Sequence, residues 1–310
     1  MSIIKLYFLL IRLLQEEIFL DSITHTLFGL ALYGTVNKKD LDKNHKRAYL
    51  VTAVGASLIS DIDVISRFWD TEGLYQMWHR GITHSVFLTP FWALFFSLIC
   101  LIFFKIKDMK LFLLGWLAVF IHDTSDLFNA WGTGYLEPFS SNRITFGTIP
   151  IVDLVFWGIL GIAFIFSRKE KIKSPYYFKL AWAFISLHLI VQTAQGYFIY
   201  KQYDDQYDQV ALSAGFVPWT FSVITMKDNQ VTIFQDNLLL ERKVQYVLES
   251  AAEADLDKLF SERPEAKTLY EWSPFVVLVN DKERLGLYDP RFYRNGQSFL
   301  FEYIEKNEIR

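Results

Sequence analysis

The segment HRGITHSVFLTPFWALFFSLICLIFF, residues 79–104, places two histidines and an arginine directly before a long apolar run. The run from Ser85 to Phe104 matches the roughly 20 apolar residues that an α-helix needs to cross a bilayer. Ionisable side chains at the end of such a run call for partners or a function, because each costs about 2.5–3.5 kcal/mol inside a membrane on insertion scales. This segment therefore predicts a membrane protein with a polar site at one end of a helix.

Further apolar stretches extend this prediction over the first 200 residues. Two are long enough to span a bilayer, Ile149–Phe166 and Phe178–Tyr200. Three are shorter or carry ionisable residues near one end: Ile23–Val36, Ala48–Ser60 and Leu111–Ala130. The composition is 52% hydrophobic and 17% aromatic, which is high for a soluble protein. We therefore predict a mainly α, polytopic transmembrane helical bundle of about six spans over residues 20–200.

The basic residues of the connecting loops predict an orientation, since cytoplasmic loops carry the excess of Lys and Arg. Twelve such residues lie in alternate loops and three in the others. The twelve are Lys38, Lys39, Lys43, Lys46, Arg47, Lys105, Lys107, Lys110, Arg168, Lys169, Lys171 and Lys173. We therefore expect a multi-pass cell-membrane protein in which loops 61–84 and 131–148 face outward, together with the C-terminal part of the chain.

The last third of the chain has a different pattern. WTFSVITM and QVTIFQ flank a Lys-Asp-Asn turn, which is typical of a β-hairpin, and PFVVLV, RLGLYD and SFLFEY follow. The intervening stretch Glu253–Glu262 has one charged and one apolar face, as a helix would. These features predict a small α+β extracytoplasmic domain at residues 205–310.

Composition excludes several classes of function. A net charge of −3 does not suit a nucleic-acid partner, because phosphates demand a basic surface. The single cysteine, Cys100, rules out an intramolecular disulfide and a thiolate zinc site, so any metal must bind His and carboxylate groups. The chain has no GxSxG nucleophile elbow and no Walker-type phosphate loop.

Candidate ligands lie in the segments that the predicted topology sends to the outward face. Asp21 and His25 are four residues apart, so they share a helix face, although a helix N-cap at Asp21 is the alternative. Asp61 and Asp63 follow an apolar run and could reach one ion from a loop. Solvated charges at a helix end are the alternative for this pair.

The segment HRGITHS is the most specific of these patterns. His79 and His84 flank a turn at Gly81, where neutral imidazoles could bind a metal and Arg80 could grip an anionic oxygen. Interfacial side chains beside Trp78 would explain one histidine and the arginine, but not the whole group.

The segment HDTSD gives a second helical pair. His122 and Asp126 share a helix face at i and i+4, with Asp123 beside them. A helix-end cap at Asp126 would leave the other two unexplained. Farther on, Arg143 could hold a substrate phosphate or carboxylate, and Asp153 could pair with it or add a ligand.

Two histidines have simpler interpretations. His45 lies in a basic loop and is expected to be solvated. His188 lies within an apolar run, where a hydrogen-bonded structural histidine is more common than a ligand.

Imidazole and carboxylate ligands without cysteine suit Zn, Mn or Mg in a hydrolytic centre of one or two ions. An aspartate would then act as base, and an arginine would stabilise developing negative charge. The predicted catalytic residues are Asp123, Arg80 and Arg143. The predicted metal ligands are His25, Asp61, Asp63, His79, His84, His122 and Asp126.

Taken together, DSITHTLFG, the Asp61–Asp63 pair, HRGITHS, and HDTSDLFNAWGT followed by Arg143 resemble the YdjM family over about residues 20–165. The resemblance implies a LexA-regulated, membrane-bound, metal-dependent hydrolase. The matching positions are Asp21, His25, Asp61, Asp63, His79, His84, His122, Asp123 and Asp126. Family members typically begin at a Met-Asp that aligns with Leu20-Asp21. We therefore expect residues 1–19 to be an extra apolar segment and natural translation to start at Leu20.

The favoured function is hydrolysis of a membrane-proximal or lipid-linked ester or phosphoester at the outer face, with the lipid bilayer and a lipid-like substrate as partners. Two alternatives are an ion-coupled transporter and an envelope binding or assembly protein with a structural metal. Clustering of the polar residues at one face disfavours the transporter, whose ligands would line a path across the membrane.

Overall fold

The computed structural model describes residues 21–238 and 242–306. The expected extra segment 1–19 and the start at Leu20 lie outside these residues. The chain forms two compact units. Of the described residues, the first unit comprises 21–63, Arg80–Thr145 and Pro150–Val191, and the second comprises Val64–His79, Phe146–Ile149, 192–238 and 242–306.

The described helices begin with α1 at residues 21–35. The others are α2 Lys43–Ala56, α3 Tyr75–Trp78, α4 Thr89–Ile99, α5 Met109–Asp126, α6 Leu154–Lys169, α7 Ser174–Asp204, α8 Leu256–Glu262 and α9 Pro264–Trp272. Short 3₁₀ helices cover Ile59–Phe68, Ile82–His84, Lys171–Lys173 and Pro290–Phe292, and a π-helical turn covers Cys100–Phe104. Except for α3, helices α1 to α6 belong to the first unit, and α7 continues from it into the second.

Aspartates define where three helices of the first unit begin. Asp42 accepts a hydrogen bond from a backbone N–H of α2, Asp108 does so for α5, and Asp153 accepts two from the start of α6. A carboxylate at this position satisfies N–H groups that have no partner within the helix. The Asp153 cap explains why α6 starts only at Leu154, inside an apolar run that begins at Ile149.

Close packing of small residues holds α1, α2, α4 and α5 together. The buried core joins Leu32, Ala53, Ala56, Phe96, Ala118 and Val119. Gly55 lies against a ring of this core, since a Cβ there would come within 2.4 Å of Phe96. Because these helices pack closely, the first described turn of α1, the end of α2 and the end of α5 lie close together.

The prediction of a polytopic transmembrane helical bundle is wrong for the described residues. No single helix among them combines the length and the apolar composition needed to cross a bilayer. Two bent pairs meet that test together: Lys43–Ala56 with Ile59–Phe68, at 53°, and Tyr75–His84 with Thr89–Phe104, at 71°. Caps and bends divide several of the apolar runs, whereas the run Phe178–Tyr200 lies within the single helix α7, which is long enough but not sufficiently apolar.

The second unit contains most of the β-structure. The strands are β1 Gln209–Ala214, β2 Phe221–Lys227, β3 Gln230–Asp236, β4 Lys243–Glu249, β5 Val277–Asn280, β6 Arg284–Tyr288, β7 Tyr293–Arg294, β8 Gln297–Ser298 and β9 Phe301–Glu305. They form antiparallel sheets in the orders β1-β2-β3-β4, β5-β6-β9 and β7-β8. The hairpin predicted around the Lys-Asp-Asn turn is confirmed, because β2 pairs with β3 from Phe221↔Asp236 to Lys227↔Gln230.

Alternating residues of these strands form the core of the second unit. Ile224, Val231, Ile233 and Val277 are buried together. The helix predicted at 253–262 is shorter in the structure, where Asp255 caps α8 and the helix starts at Leu256. As in α6, the capping aspartate determines where the helix begins, which the apolar pattern does not show.

Candidate metal centre

Four separate segments of the first unit contribute polar side chains to one buried cluster. These are the first described turn of α1, the 3₁₀ helix at Ile59–Phe68, residues 80–84 and the last turn of α5. The cluster consists of Asp21, His25, Asp61, Asp63, Arg80, His84, His122, Asp123 and Asp126. Most of these side chains are buried, and that of Asp61 is 13% exposed.

One group within the cluster has the donor set of a metal site: Asp61, His84, His122 and Asp126. The Nε2 atoms of the two histidines are 3.2 Å apart. Oδ1 of Asp61 lies 3.4 and 3.5 Å from them, and Oδ2 of Asp126 lies 3.5 and 3.8 Å from them. Four ligands at 2.0–2.2 Å from a tetrahedral ion would be about 3.3–3.6 Å apart. The five separations of 3.2–3.8 Å lie close to this range, and all four atoms lie within 4.8 Å of one another.

The other ring nitrogens are engaged outside this group. Nδ1 of His122 lies 2.8 Å from the carbonyl oxygen of Ser57, to which it donates. Nδ1 of His84 lies 3.3 Å from Oδ2 of Asp63 and 3.1 Å from the Thr83 hydroxyl. With the proton on Nδ1, each Nε2 presents its lone pair to the interior of the group. Two imidazole nitrogens at this distance can share either a proton or a metal ion.

A second group shares Asp126 with the first and adds Asp21 and His25. Nε2 of His25 lies 3.2 Å from Oδ1 of Asp21 and 3.3 Å from Oδ1 of Asp126. The guanidinium of Arg80 already supplies a positive charge here. Its Nη2 donates to Oδ2 of Asp21, and its Nε lies 3.2 Å from Oδ2 of Asp126.

Arg80 is held in a strained conformation. Its φ is +57°, in the left-handed region that non-glycine residues rarely adopt. Its backbone N–H donates to Asp63 at 2.8 Å, and its carbonyl oxygen accepts from the N–H of Gly134 at 2.7 Å. These two hydrogen bonds stabilise a backbone conformation that is unfavourable by itself. Such strained residues are common at functional sites.

Charge and burial act in opposite directions on the carboxyl groups of α5. Burial raises the pKa of Asp123 to about 6, although His84, His122 and the Ser60 hydroxyl all act to lower it. Burial would also raise the pKa of Asp126, but Arg80 and His25 hold it well below its usual range. Asp126 therefore favours the ionised form more strongly than Asp123 does.

The predicted ligands Asp63 and His79 and the predicted catalytic residue Arg143 lie outside the two ligand groups. Asp63 accepts hydrogen bonds from the Thr83 hydroxyl and from the backbone N–H of Arg80. It also contacts Nδ1 of His84, the ring nitrogen that faces away from the ligand group. His79 belongs to the second unit, and its ring stacks on Tyr75 with the centroids 5.5 Å apart. Nη2 of Arg143 donates to the carbonyl oxygen of Gly132 at 2.8 Å.

The other singled-out residues lie apart from the cluster. Asp153 caps α6 through Oδ1 and lies 3.0 Å from Nε2 of His188 through Oδ2. His45 is exposed beside Asp42, at 2.9 Å. Sequence reasoning missed Ser57, whose contribution is a backbone carbonyl without a residue-type signal, and Thr83, whose hydroxyl connects Asp63 to His84.

Comparison with known proteins gives two matches. The family described as YdjM inner membrane protein matches residues 20–199. The uncharacterized protein YfhP of Bacillus subtilis (strain 168) is 31% identical over 138 residues. That alignment covers 43% of this chain and 42% of YfhP, which is less than half of either protein. No solved structure matches significantly.

Replacing Arg80 with methionine should destabilise the first unit. The change leaves Asp21 and Asp126 without their shared cation, a loss that costs about 3–5 kcal/mol for a buried pair. Unfolding of the chelator-treated protein in mild detergent would measure it. Adding Asp21→Asn should recover part of the loss, and Arg47→Met, at an exposed position on α2, is the control. Equal stability of Arg80→Met and Arg47→Met would contradict the ion-pair assignment.

Proposed function

Because this chain belongs to the YdjM inner membrane protein family, we propose that it is a membrane-associated, metal-dependent hydrolase. The observation that carries the proposal is the group Asp61, His84, His122 and Asp126, which comes from three separate segments and has the separations of a tetrahedral site. Oδ2 of Asp126 supports it, because within the described residues this buried atom has an ion-pair contact with Nε of Arg80 at 3.2 Å but accepts no hydrogen bond of regular geometry.

Zinc is the proposed ion. Magnesium prefers six oxygen ligands at 2.0–2.1 Å, and its neighbouring ligands would lie only about 2.9 Å apart. The two imidazole nitrogens and the wider separations of this group suit zinc better. When bound, such a cation would acidify water and stabilise negative charge on an ester or phosphoryl oxygen.

The chain's own side chains divide the remaining work. Asp123 is fully buried next to the ligand His122, so it is the proposed acceptor for the proton released by the attacking water. Arg80 holds Asp21 and Asp126 in place through its two contacts. The partial exposure of Asp61 marks the side from which water and substrate would approach. Arg143 positions the adjoining loop through the carbonyl oxygen of Gly132.

The proposed substrate is an amphipathic ester or phosphoester. The family's location at the inner membrane supports this class, because membrane lipids and lipid-linked intermediates are the esters concentrated there.

Metal analysis of the purified full-length chain tests the ligand set. We expect about one zinc per chain, because the four donors define one tetrahedral position. His84→Ala and His122→Ala should each lose most of it, whereas His45→Ala, at an exposed histidine on α2, should keep it. Retention of the full metal content by both ligand variants would refute the site.

The role of Asp123 separates a catalytic metal from a structural one. Asp123→Asn should keep the zinc and lower hydrolysis by at least 100-fold, since general-base catalysis contributes about 10²–10⁴-fold. The assay is a screen of carboxyl esters, phosphomonoesters and phosphodiesters with short and long acyl chains, with the metal content measured in parallel. A metal-loaded wild-type protein that hydrolyses none of them, or an Asp123→Asn variant of equal activity, would contradict the proposal.

A further inference from the structure

An apolar groove lies between α6 and α7 in the first unit. Its volume is about 380 Å³, within the range of about 300–1,000 Å³ for small-molecule sites. Its lining includes Ile159, Ile162 and Phe166 from α6 and Tyr177, Leu180 and Phe184 from α7. Several of these side chains are strongly exposed, Ile162 by 58% and Phe184 by 51%. A groove of this composition suits an extended hydrocarbon chain.

Basic residues surround one end of the groove. The connection between the two helices carries Arg168, Lys169, Lys171 and Lys173, all exposed. It lies at the groove's end because the rings of Phe166 and Tyr177, just before and just after it, are in contact with their centroids 5.6 Å apart. Glu170 pairs with Lys173 at 2.7 Å, so the other three cations are in excess.

The tip of this connection also has the composition of a membrane interface. Ile172 is 97% exposed between two lysines, and Tyr176 is 60% exposed. An apolar side chain flanked by cations, followed by tyrosines, is typical of segments that rest at the boundary between headgroups and acyl chains. The groove therefore opens where lipid headgroups would be found.

This feature is separate from the metal centre. Nε1 of Trp157, near the start of α6, donates to the hydroxyl of Thr24 at 3.1 Å, and Thr24 adjoins His25 of the centre. Arg168 is eleven residues farther along the same helix, which is about 16 Å at 1.5 Å per residue. The basic end of the groove is thus at the end of α6 that points away from the centre.

We infer that the groove is a binding site for one anionic diacyl phospholipid. An acyl chain lies along the apolar lining, and the phosphate lies against Arg168, Lys169 and Lys171. The cations attract the anionic headgroup, and the groove supplies contact with the acyl chain. The inference does not rest on the hydrolase function, because none of these residues belongs to the metal cluster.

Native mass spectrometry of the delipidated full-length chain tests the inference. The probes are phosphatidylglycerol and phosphatidylcholine with identical acyl chains, each added in mixed micelles. We expect one retained phosphatidylglycerol per chain and at least tenfold weaker retention of phosphatidylcholine, because only the first lipid carries a net negative charge.

Two variants separate the contributions of charge and groove. Replacing Arg168, Lys169, Lys171 and Lys173 by glutamine should reduce phosphatidylglycerol retention at least tenfold, whereas Lys107→Gln with Lys110→Gln, in another basic loop, should not. Ile162→Asn with Leu180→Asn should reduce retention of both lipids, and Leu113→Asn, at a 52% exposed position on α5, should not. Equal retention of the two lipids by the wild type would overturn the inference. So would charge and groove variants that each retain as much phosphatidylglycerol as their controls. All variants replace exposed side chains, and unchanged melting temperatures would verify that they fold.

Discussion

Two imidazole nitrogens that face each other 3.2 Å apart are the constraint around which the first unit is organised. Each ring contacts an oxygen through its Nδ1 atom, so the two Nε2 atoms face the interior of the ligand group. Carboxylate oxygens of Asp61 and Asp126 close the same small space. Arg80 offsets part of the negative charge of these carboxylates, and a metal ion between the two histidines would offset the rest.

The fold supplies the precision that such a site needs. Small residues let α1, α2 and α5 approach closely, so that the carbonyl oxygen of Ser57 at the end of α2 reaches the ring of His122. Arg80 adopts a strained backbone geometry that is stabilised by Asp63 on one side and Gly134 on the other. Ligands from separate segments are thereby held by rigid helices and by hydrogen bonds behind them, as a preorganised site requires.

The sequence predicted local groupings better than their assembly. Spacing alone placed Asp21 with His25 and His122 with Asp126 on shared helix faces, and the structure brings both pairs together. Spacing could not say which carboxylate of the pair at 61 and 63 faces the ligand group and which lies behind His84, because that depends on the turn geometry of a 3₁₀ helix.

The predicted membrane spans show the limit of hydropathy. Apolar runs do not reveal where a helix begins, and Asp153 starts α6 four residues inside one such run. They also do not reveal the bend of 53° that separates the apolar run of α2 from the following 3₁₀ helix. The hairpin of β2 and β3 was predictable because its turn residues and its alternation are both local signals.

X-ray absorption spectroscopy at the zinc edge of the purified full-length protein tests the central claim most directly. The account predicts four or five nitrogen and oxygen neighbours at about 2.0–2.2 Å, with the multiple-scattering pattern of two imidazole rings. Scattering from sulfur, from a single imidazole or from none would contradict it, because the two facing histidines would then not share an ion.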